Sequence, residues 1–291
     1  MLETAIVCLT QILMALGAAW LLRAGIFGLL ADTVRVAQPS LIAVLTVYCG
    51  EAAAIPLTSL LVLALFIVFF LLREKVGGDD ILISIGMQAA VLGACSLFVF
   101  KVLENQNFKQ VEILASGSEI LVGLTVALVT LTAYLLEFSN FRVVLHNSSV
   151  FRRPTSTYPR GFQGVRAAAL VGSWACFCMA AMLPMAAQPA SLSQWQDGRG
   201  ILLFGVAYAL RGRVGHCTLA AAAIAAVDII SSDVGASGIA AELLAVAPLI
   251  VGLLIIIGAL SIDRYVRSRG VTRVVRTPAH PRPVVDAKPV I

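Results

Sequence analysis

The chain has 291 residues, of which 59% are hydrophobic and only 13% are charged. Because a soluble domain normally carries about 25% charged residues, this composition excludes an ordinary soluble domain and indicates an integral membrane protein. The net charge is +5, but the basic residues concentrate in 142–166 and 264–288, so membrane topology explains the excess better than nucleic-acid binding does.

Apolar runs separated by short polar segments predict an all-α polytopic membrane protein with about eight or nine transmembrane helices in two related halves. The predicted spans are 4–22, 34–50, 54–72, 81–101, 119–136, 167–187, 217–230 and 239–262. We therefore predict a transmembrane domain over 1–262. A basic, proline-bearing tail over 263–291 is predicted to be disordered and cytoplasmic.

Two further hydrophobic segments, 23–39 and 198–214, are predicted to be broken or re-entrant helices. In 198–214, about ten apolar residues lie between glycines at both ends, whereas a membrane span needs about 20. The segment 23–39 contains Gly25, Gly28 and Pro39. Paired interruptions of this kind in the two halves of a membrane protein indicate the substrate path of a transporter.

The loop charges predict the orientation of the chain. Arginine and lysine concentrate in 73–80, 138–166, 211–213 and the C-terminal tail, whereas 101–116 carries only two basic residues. By the positive-inside rule the four basic segments are cytoplasmic. If each apolar run crosses once, the N-terminus lies outside and the C-terminus lies in the cytoplasm. We interpret 1–22 as the first span, because it has neither a basic n-region nor a cleavage site.

Three motifs in this order along the chain resemble those of one family. Arg23-Ala-Gly-Ile-Phe, with Asp32 following, is similar to the signature E-R-A-G-V-x-N-L-G-x-E-G, although Gly28, Leu30 and Thr33 depart from it. Asp79-Asp80-Ile-Leu-Ile resembles D-x-V-I-x-G, and 198–213 resembles G-x-G-x-x-x-I-A-V-A-L-L-G-R. These motifs belong to permease subunits of bacterial ABC importers, in the nucleoside and simple-sugar branch of the group that includes ribose and branched-chain amino-acid permeases.

The resemblance implies a permease subunit in the bacterial plasma (inner) membrane that forms the path for a nucleoside, nucleobase or simple sugar. It implies three kinds of partner: a second and longer permease subunit, cytoplasmic ATP-binding subunits, and a periplasmic or lipoprotein substrate-binding protein. The sequence has no GxxxxGK[ST] loop, so ATP would be bound and hydrolysed by a partner. A branched-chain amino acid or riboflavin-like cargo, a secondary carrier and a membrane scaffold without an ATPase remain alternatives.

The polar and aromatic residues of the apolar segments favour a transport site rather than a catalytic one. The sequence has no catalytic motif, and its scattered histidines and cysteines predict neither a metal site nor a cofactor. The candidates for the substrate path are Phe27, Asp32, Gln38, Gln88, Phe204 and Tyr208. An acid or an amide can hydrogen-bond a ribose hydroxyl or a base edge, and a ring can stack on a base. Helix bridging and core packing are the alternative roles, and Asp228 is expected to be interfacial or capping.

The polar loop 138–165 is the candidate for coupling to an ATP-binding subunit. It carries an apolar anchor, two arginines and a terminating proline in sequence, which are Phe151, Arg152, Arg153 and Pro154. Most of the support for this role comes from the family resemblance. The alternative is that the arginines of this loop only fix the topology of the chain.

Overall fold

The computed structural model describes residues 2–76, 79–102, 117–150, 161–187, 198–233 and 239–274. Within these ranges every regular element is a helix. The helices are α1 (Leu2–Arg23), α2 (Leu30–Cys49), α3 (Glu51–Val76), α4 (Asp80–Val102), α5 (Ser118–Ala133), α6 (Phe141–Val150), α7 (Gly161–Ala187), α8 (Arg199–Ala209), α9 (Val214–Asp233) and α10 (Ile239–Val274). A π-helical turn, Tyr134–Phe138, continues α5.

Eight of these helices are long and apolar enough to cross a membrane, and α6 and α8 are the two that are not. The prediction of an all-α polytopic membrane protein is therefore confirmed. Helices α4 and α10 leave most of their apolar surface exposed, as expected for helices that face lipid. The relation between the two halves stays a prediction.

Helices α1 and α7 form the centre of the bundle, and glycines allow their close approach. A Cβ atom on Gly17 of α1 would lie 2.4 Å from the ring of Phe177, and one on Gly172 of α7 would lie 2.7 Å from the ring of Trp20. Each helix thus places a ring against a glycine of the other. Small residues at such contacts let membrane helices pack by van der Waals attraction, which is the main force available in lipid.

One end of the bundle gathers the arginines that the sequence places in cytoplasmic segments. Arg166 at the start of α7 lies 3.6 Å from the Glu74 carboxylate at the end of α3. Arg142 at the start of α6 lies 3.5 Å from Glu137, at the end of the π-helical turn. We call this the arginine-rich end, and it also contains Arg23 of α1, because Arg23 pairs with Glu137. The basic segments 73–80 and 138–166 therefore share one end, as the orientation argument requires.

Three boundaries differ from the prediction. The first interruption is only 24–29, because α2 begins at Leu30 and continues through Pro39. A proline is tolerated there because neighbouring helices pack around α2. The last helix runs on to Val274 rather than ending at residue 262, since no proline occurs between residue 262 and Pro278. Helix α6 lies inside the predicted loop 138–165.

A half-helix junction as the candidate functional site

Helix α8 is a half-helix that begins deep inside the bundle. Its 11 residues give it a length of about 16 Å, roughly half of a ~30 Å hydrocarbon core. Its C-terminal turn lies at the arginine-rich end, because Arg23 Nε donates to the Gly212 carbonyl over 2.7 Å. The N-terminus of α8 therefore lies about 16 Å inside that end. The interruption predicted over 198–214 corresponds to this short helix and the turn 210–213 that follows it.

The carboxylate of Asp32 caps the N-terminus of the half-helix. Asp32 Oδ1 accepts from the Gly200 N–H and Oδ2 accepts from the Ile201 N–H, each over 2.8 Å. Gly198, which precedes the helix, has a φ of 68° and supplies no side-chain cap, so the cap comes from α2 instead. A negative charge at this position also complements the helix dipole. The two predicted interruptions thus meet at Asp32.

A partly buried ion pair holds the first residue of α8. The Arg199 guanidinium binds both carboxylate oxygens of Asp228 on α9, with Nη2 and Oδ1 2.7 Å apart. Gln11 Nε2 of α1 donates to the same carboxylate over 3.3 Å. Gln11 lies about 18 Å along α1 from Arg23, and Asp228 lies about 21 Å along α9 from Val214. Both helices therefore place this pair about 18–21 Å from the arginine-rich end, within a ~30 Å hydrocarbon core.

The turn at the other end of α8 is satisfied by side chains. Arg211 and Gly212 have φ values of 56° and 63°, so two consecutive residues adopt the left-handed conformation. Glu137 accepts from the Val214 N–H at the start of α9 over 2.9 Å, and Arg23 donates to Glu137 and to the Leu136 carbonyl. Irregular backbone at the membrane boundary is thereby supplied with polar partners from two other segments, α1 and the π-helical turn.

A second ion pair holds the first interruption, 24–29. Asp80 Oδ2, at the start of α4, accepts from the Phe27 N–H over 3.0 Å. Arg73 Nε donates to Asp80 Oδ1 over 2.8 Å, and its Nη2 donates to the Gly25 carbonyl over 3.1 Å. Both groups of this pair are largely buried. Each interruption is therefore fixed by a charged pair from neighbouring helices.

The predicted path residues fall into separate positions. The rings of Phe27 and Tyr208 pack edge to face with centroids 5.9 Å apart, and Tyr208 remains exposed. Phe204 is buried in the core on α8. Gln88 is half-buried on α4, which packs against α2 and α3. The residues Phe151, Arg152, Arg153 and Pro154 of the predicted coupling loop lie outside the described residues.

Gln38 is the predicted path residue with unused hydrogen-bonding groups. Its side chain is 0% exposed, and neither amide atom has a partner within the described ranges of the chain. The hydroxyls of Thr58 and Ser173 are in the same situation. Other span hydroxyls, such as those of Thr10 and Ser40, donate to their own helix four residues back. A buried polar group without a partner costs about 1–3 kcal/mol and calls for a bound ligand or water.

Sequence reasoning missed Arg199 and Gln11 as members of this region, and it did not single out Arg35. Arg35 is buried on α2, three positions after Asp32. The available signal was Asp228 within the predicted span 217–230, because an intramembrane charge requires a partner. No cluster of histidine, cysteine or acidic residues able to hold a metal occurs in the part of the chain that the structure describes.

The fold and this junction define a class, an all-helical multi-pass membrane protein with a half-helix held by partly buried charges. Comparisons with protein-family models, with curated proteins and with solved structures found no match to the chain.

Proposed function

We propose that the chain is the permease subunit of an ATP-driven ABC importer. The observation that supports this most is the half-helix α8, which starts inside the bundle and is capped by Asp32 from the first turn of α2, just after the other interruption. Discontinuous helices at the centre of the membrane are typical of transporters, where they form the substrate site. The first N–H groups of α8 need partners from outside the helix, and a carboxylate 168 residues away in the sequence supplies them.

The motif residues support the family assignment in a second way. Arg23 and Asp80, which carry two of the three family motifs, are the side chains that hold the two interruptions. Gly200, in the third motif, is where a Cβ atom would lie 2.3 Å from Asp32 Oδ1. Residues from all three motifs therefore contribute to holding the two interruptions. The proposed cargo is a nucleoside or nucleobase, or else a simple sugar.

Gln38 is the better candidate for a cargo contact, and Asp32 has a positioning role. The Asp32 carboxylate is already engaged by two backbone N–H groups, whereas the Gln38 amide can offer both a donor and an acceptor. In the proposed assembly the arginine-rich end faces the cytoplasm and the ATP-binding subunits, and the opposite end faces the substrate-binding protein. A second, longer permease subunit completes the path.

A secondary carrier is the second candidate, and a specific observation favours it. The described spans contain Asp32, Arg35 and Asp228, all within helices that could cross the membrane. Carriers use intramembrane ionisable residues to couple cargo to protons or ions. The described spans therefore hold charges that a carrier could use.

Uptake by cells that lack their own nucleoside and sugar transporters tests the proposal. We expect uptake of one labelled compound from a nucleoside and sugar panel, sensitive to vanadate and insensitive to an ionophore that dissipates the proton gradient. Gln38→Ala should raise the KM for uptake about tenfold, equivalent to about 1.4 kcal/mol. The control Thr130→Ala, at an exposed hydroxyl that donates to its own helix α5, should leave KM within twofold.

The source of energy separates the two candidates. Abolition of uptake by the ionophore, with no ATPase recovered from detergent extracts, would assign the chain to secondary carriers. Under the importer proposal an ATPase co-purifies, and changing Phe151, Arg152 and Arg153 together to alanine removes it. Retention of the ATPase by that triple variant would refute the coupling role of the loop.

A further inference from the structure

We propose that Arg199, Asp228, Gln11 and Asp32 form a latch that holds the half-helix α8 closed, and that its release is a step of transport. This inference rests on the proposed function, since it assigns positioning residues to that transport path. The latch residues come from four helices, α8, α9, α1 and α2, and they meet at the N-terminus of α8. Sequence reasoning assigned a site role only to Asp32 among them.

The first argument is the nature of the contacts. The first three residues of α8 are held to the rest of the bundle by the bidentate pair of Arg199 with Asp228 and by the two bonds from Gly200 and Ile201 to Asp32. Every one of these contacts is charged or charge-assisted. Because hydrocarbon offers no replacement partner, such contacts persist in a dry interior. Water and polar cargo do offer replacements, so their arrival is what weakens the latch.

The second argument is the turn at the opposite end of α8. Arg211 and Gly212 adopt consecutive left-handed conformations, and the Gly212 carbonyl is fixed by Arg23. The turn residue Arg211 is exposed and pairs with Asp263 of α10. A short rigid helix with a sharp turn at one end and breakable polar contacts at the other can swing about the turn. Residues at element ends that absorb large φ changes are typical hinges.

The third argument is an unused acceptor inside the latch. Gln11 is only 2% exposed, its Nε2 donates to Asp228, and its Oε1 has no partner among the described residues. This buried oxygen belongs to the same amide group that contacts the ion pair through its nitrogen. A cargo hydroxyl or a water molecule could donate to it while the amide keeps its contact with Asp228. Cargo recognition and release of the pair would then occur at the same place.

Thiol accessibility tests the latch without requiring transport. In a chain whose six cysteines are replaced by alanine, Leu203→Cys serves as the reporter, because Leu203 is 0% exposed and lies one turn from Arg199. We expect Asp228→Asn to raise the rate of labelling by a water-soluble maleimide at least tenfold. A second reporter chain keeps Cys176, buried on α7, as the sole cysteine, and its labelling should change less than twofold. An unchanged rate at position 203, or an equal rise at both reporters, would overturn the proposal.

Uptake by paired variants separates a latch from a pair that only stabilises the fold. Replacement of a buried ion pair by apolar residues often preserves stability, so Arg199→Met with Asp228→Leu should stay folded. A latch predicts at least a tenfold loss of maximal uptake rate with KM within twofold, and recovery in the charge-reversed pair Arg199→Asp with Asp228→Arg. Full uptake by the apolar pair would refute the latch. Absence of uptake by the wild-type chain, together with the labelling response, would refute the transport proposal alone.

Discussion

Asp32 illustrates how backbone N–H groups can satisfy the charge of a residue inside a membrane span. Its two carboxylate oxygens are engaged by the N–H groups of Gly200 and Ile201. Hydrogen bonds to a charged group contribute about 1.5–3 kcal/mol each, and their loss in a dry interior leaves donors and acceptor unsatisfied. The close approach depends on residue 200 having no side chain, because the Asp32 backbone nitrogen would also lie 2.9 Å from a Cβ atom there.

Gly200→Ala should therefore destabilise the protein. The added Cβ would lie 2.3 Å from Asp32 Oδ1, and overpacking of this kind costs about 1–3 kcal/mol. We expect a lower thermal unfolding midpoint in detergent, measured by loss of a monodisperse elution peak after heating. Gly258→Ala on α10 is the matched control, since a Cβ atom there meets nothing within 4 Å. Alanine favours the helix more than glycine, so a drop in the control as large as that in Gly200→Ala would contradict the explanation.

The hydroxyls of Thr58 and Ser173, like the Gln38 amide, are buried without a hydrogen-bond partner among the described residues. A span hydroxyl that donates to its own helix is fully satisfied, as Thr125 is by the Leu121 carbonyl over 2.8 Å. Thr58 and Ser173 are 0% exposed and make no such bond within the described residues. Trp174, next to Ser173, donates to the carbonyl of Ser59, next to Thr58. These polar groups therefore lie on directly packed parts of α3 and α7.

At the scale of elements, the strongest structural constraint is the reciprocal contact of α1 and α7. Phe177 fits against Gly17, and Trp20 fits against Gly172. Phe177 also packs on Phe66 of α3, with ring centroids 6.2 Å apart. Since lipid is as apolar as the helix surfaces, shape rather than burial from water decides this contact. A larger side chain at the glycine position of one helix should therefore be compensated by a smaller side chain at the ring position of the other helix.

Gly17→Ala should destabilise the bundle, and a smaller side chain at position 177 should partly restore it. The new Cβ would lie 2.4 Å from the Phe177 ring, so the ring must shift or the helices must separate. We expect Gly17→Ala to cost about 1–3 kcal/mol and Phe177→Leu alone to cost less than the 3–5 kcal/mol of a Phe→Ala change. The double variant should be more stable than the sum of the two losses predicts, as measured by a double-mutant cycle of thermal midpoints. Simple additivity would mean that the two side chains do not share this contact.

The sequence predicted the existence of each long helix because a span of lipid demands about 20 apolar residues. It predicted both interruptions partly from their glycines, of which Gly25, Gly198 and Gly212 have positive φ values in the structure whereas Gly28 and Gly200 do not. It could not pair Arg199 with Asp228, because the two lie on different helices and residue spacing carries no information about their distance. It ended the first interruption too late, since Pro39 resembles a break in the sequence but lies within a helix that is packed by neighbours.

At the scale of the whole molecule, alternating helix directions bring distant basic segments to one end. Arg23, Arg73, Arg142 and Arg166 all form ion pairs there, with Glu137, Asp80 and Glu74 as acidic partners. The exposed pair of Arg211 with Asp263 joins them, and the hydrogen bond that Arg211 donates to Asp263 raises the pKa of the Arg211 guanidinium. An exposed pair of this kind contributes about 0–1 kcal/mol to the stability of the fold. The pair therefore shows that the turn and α10 meet at this end, but it adds little stability.

The proposed orientation can be tested with a native cysteine. Cys49 lies at the end of α2, opposite the arginine-rich end, and is exposed, whereas Cys95, Cys176, Cys178 and Cys217 are buried. Because the positive-inside rule places the arginine-rich end in the cytoplasm, a membrane-impermeant maleimide should label intact cells through Cys49. Cys49→Ser should remove most of that signal, and Arg213→Cys in the Cys49→Ser background should be labelled only after permeabilisation, since Arg213 is exposed in the turn before α9. Labelling at position 213 in intact cells, with Cys49 silent, would invert the orientation. The ATP-binding subunit would then face the wrong side of the membrane, and the importer proposal would fail with it.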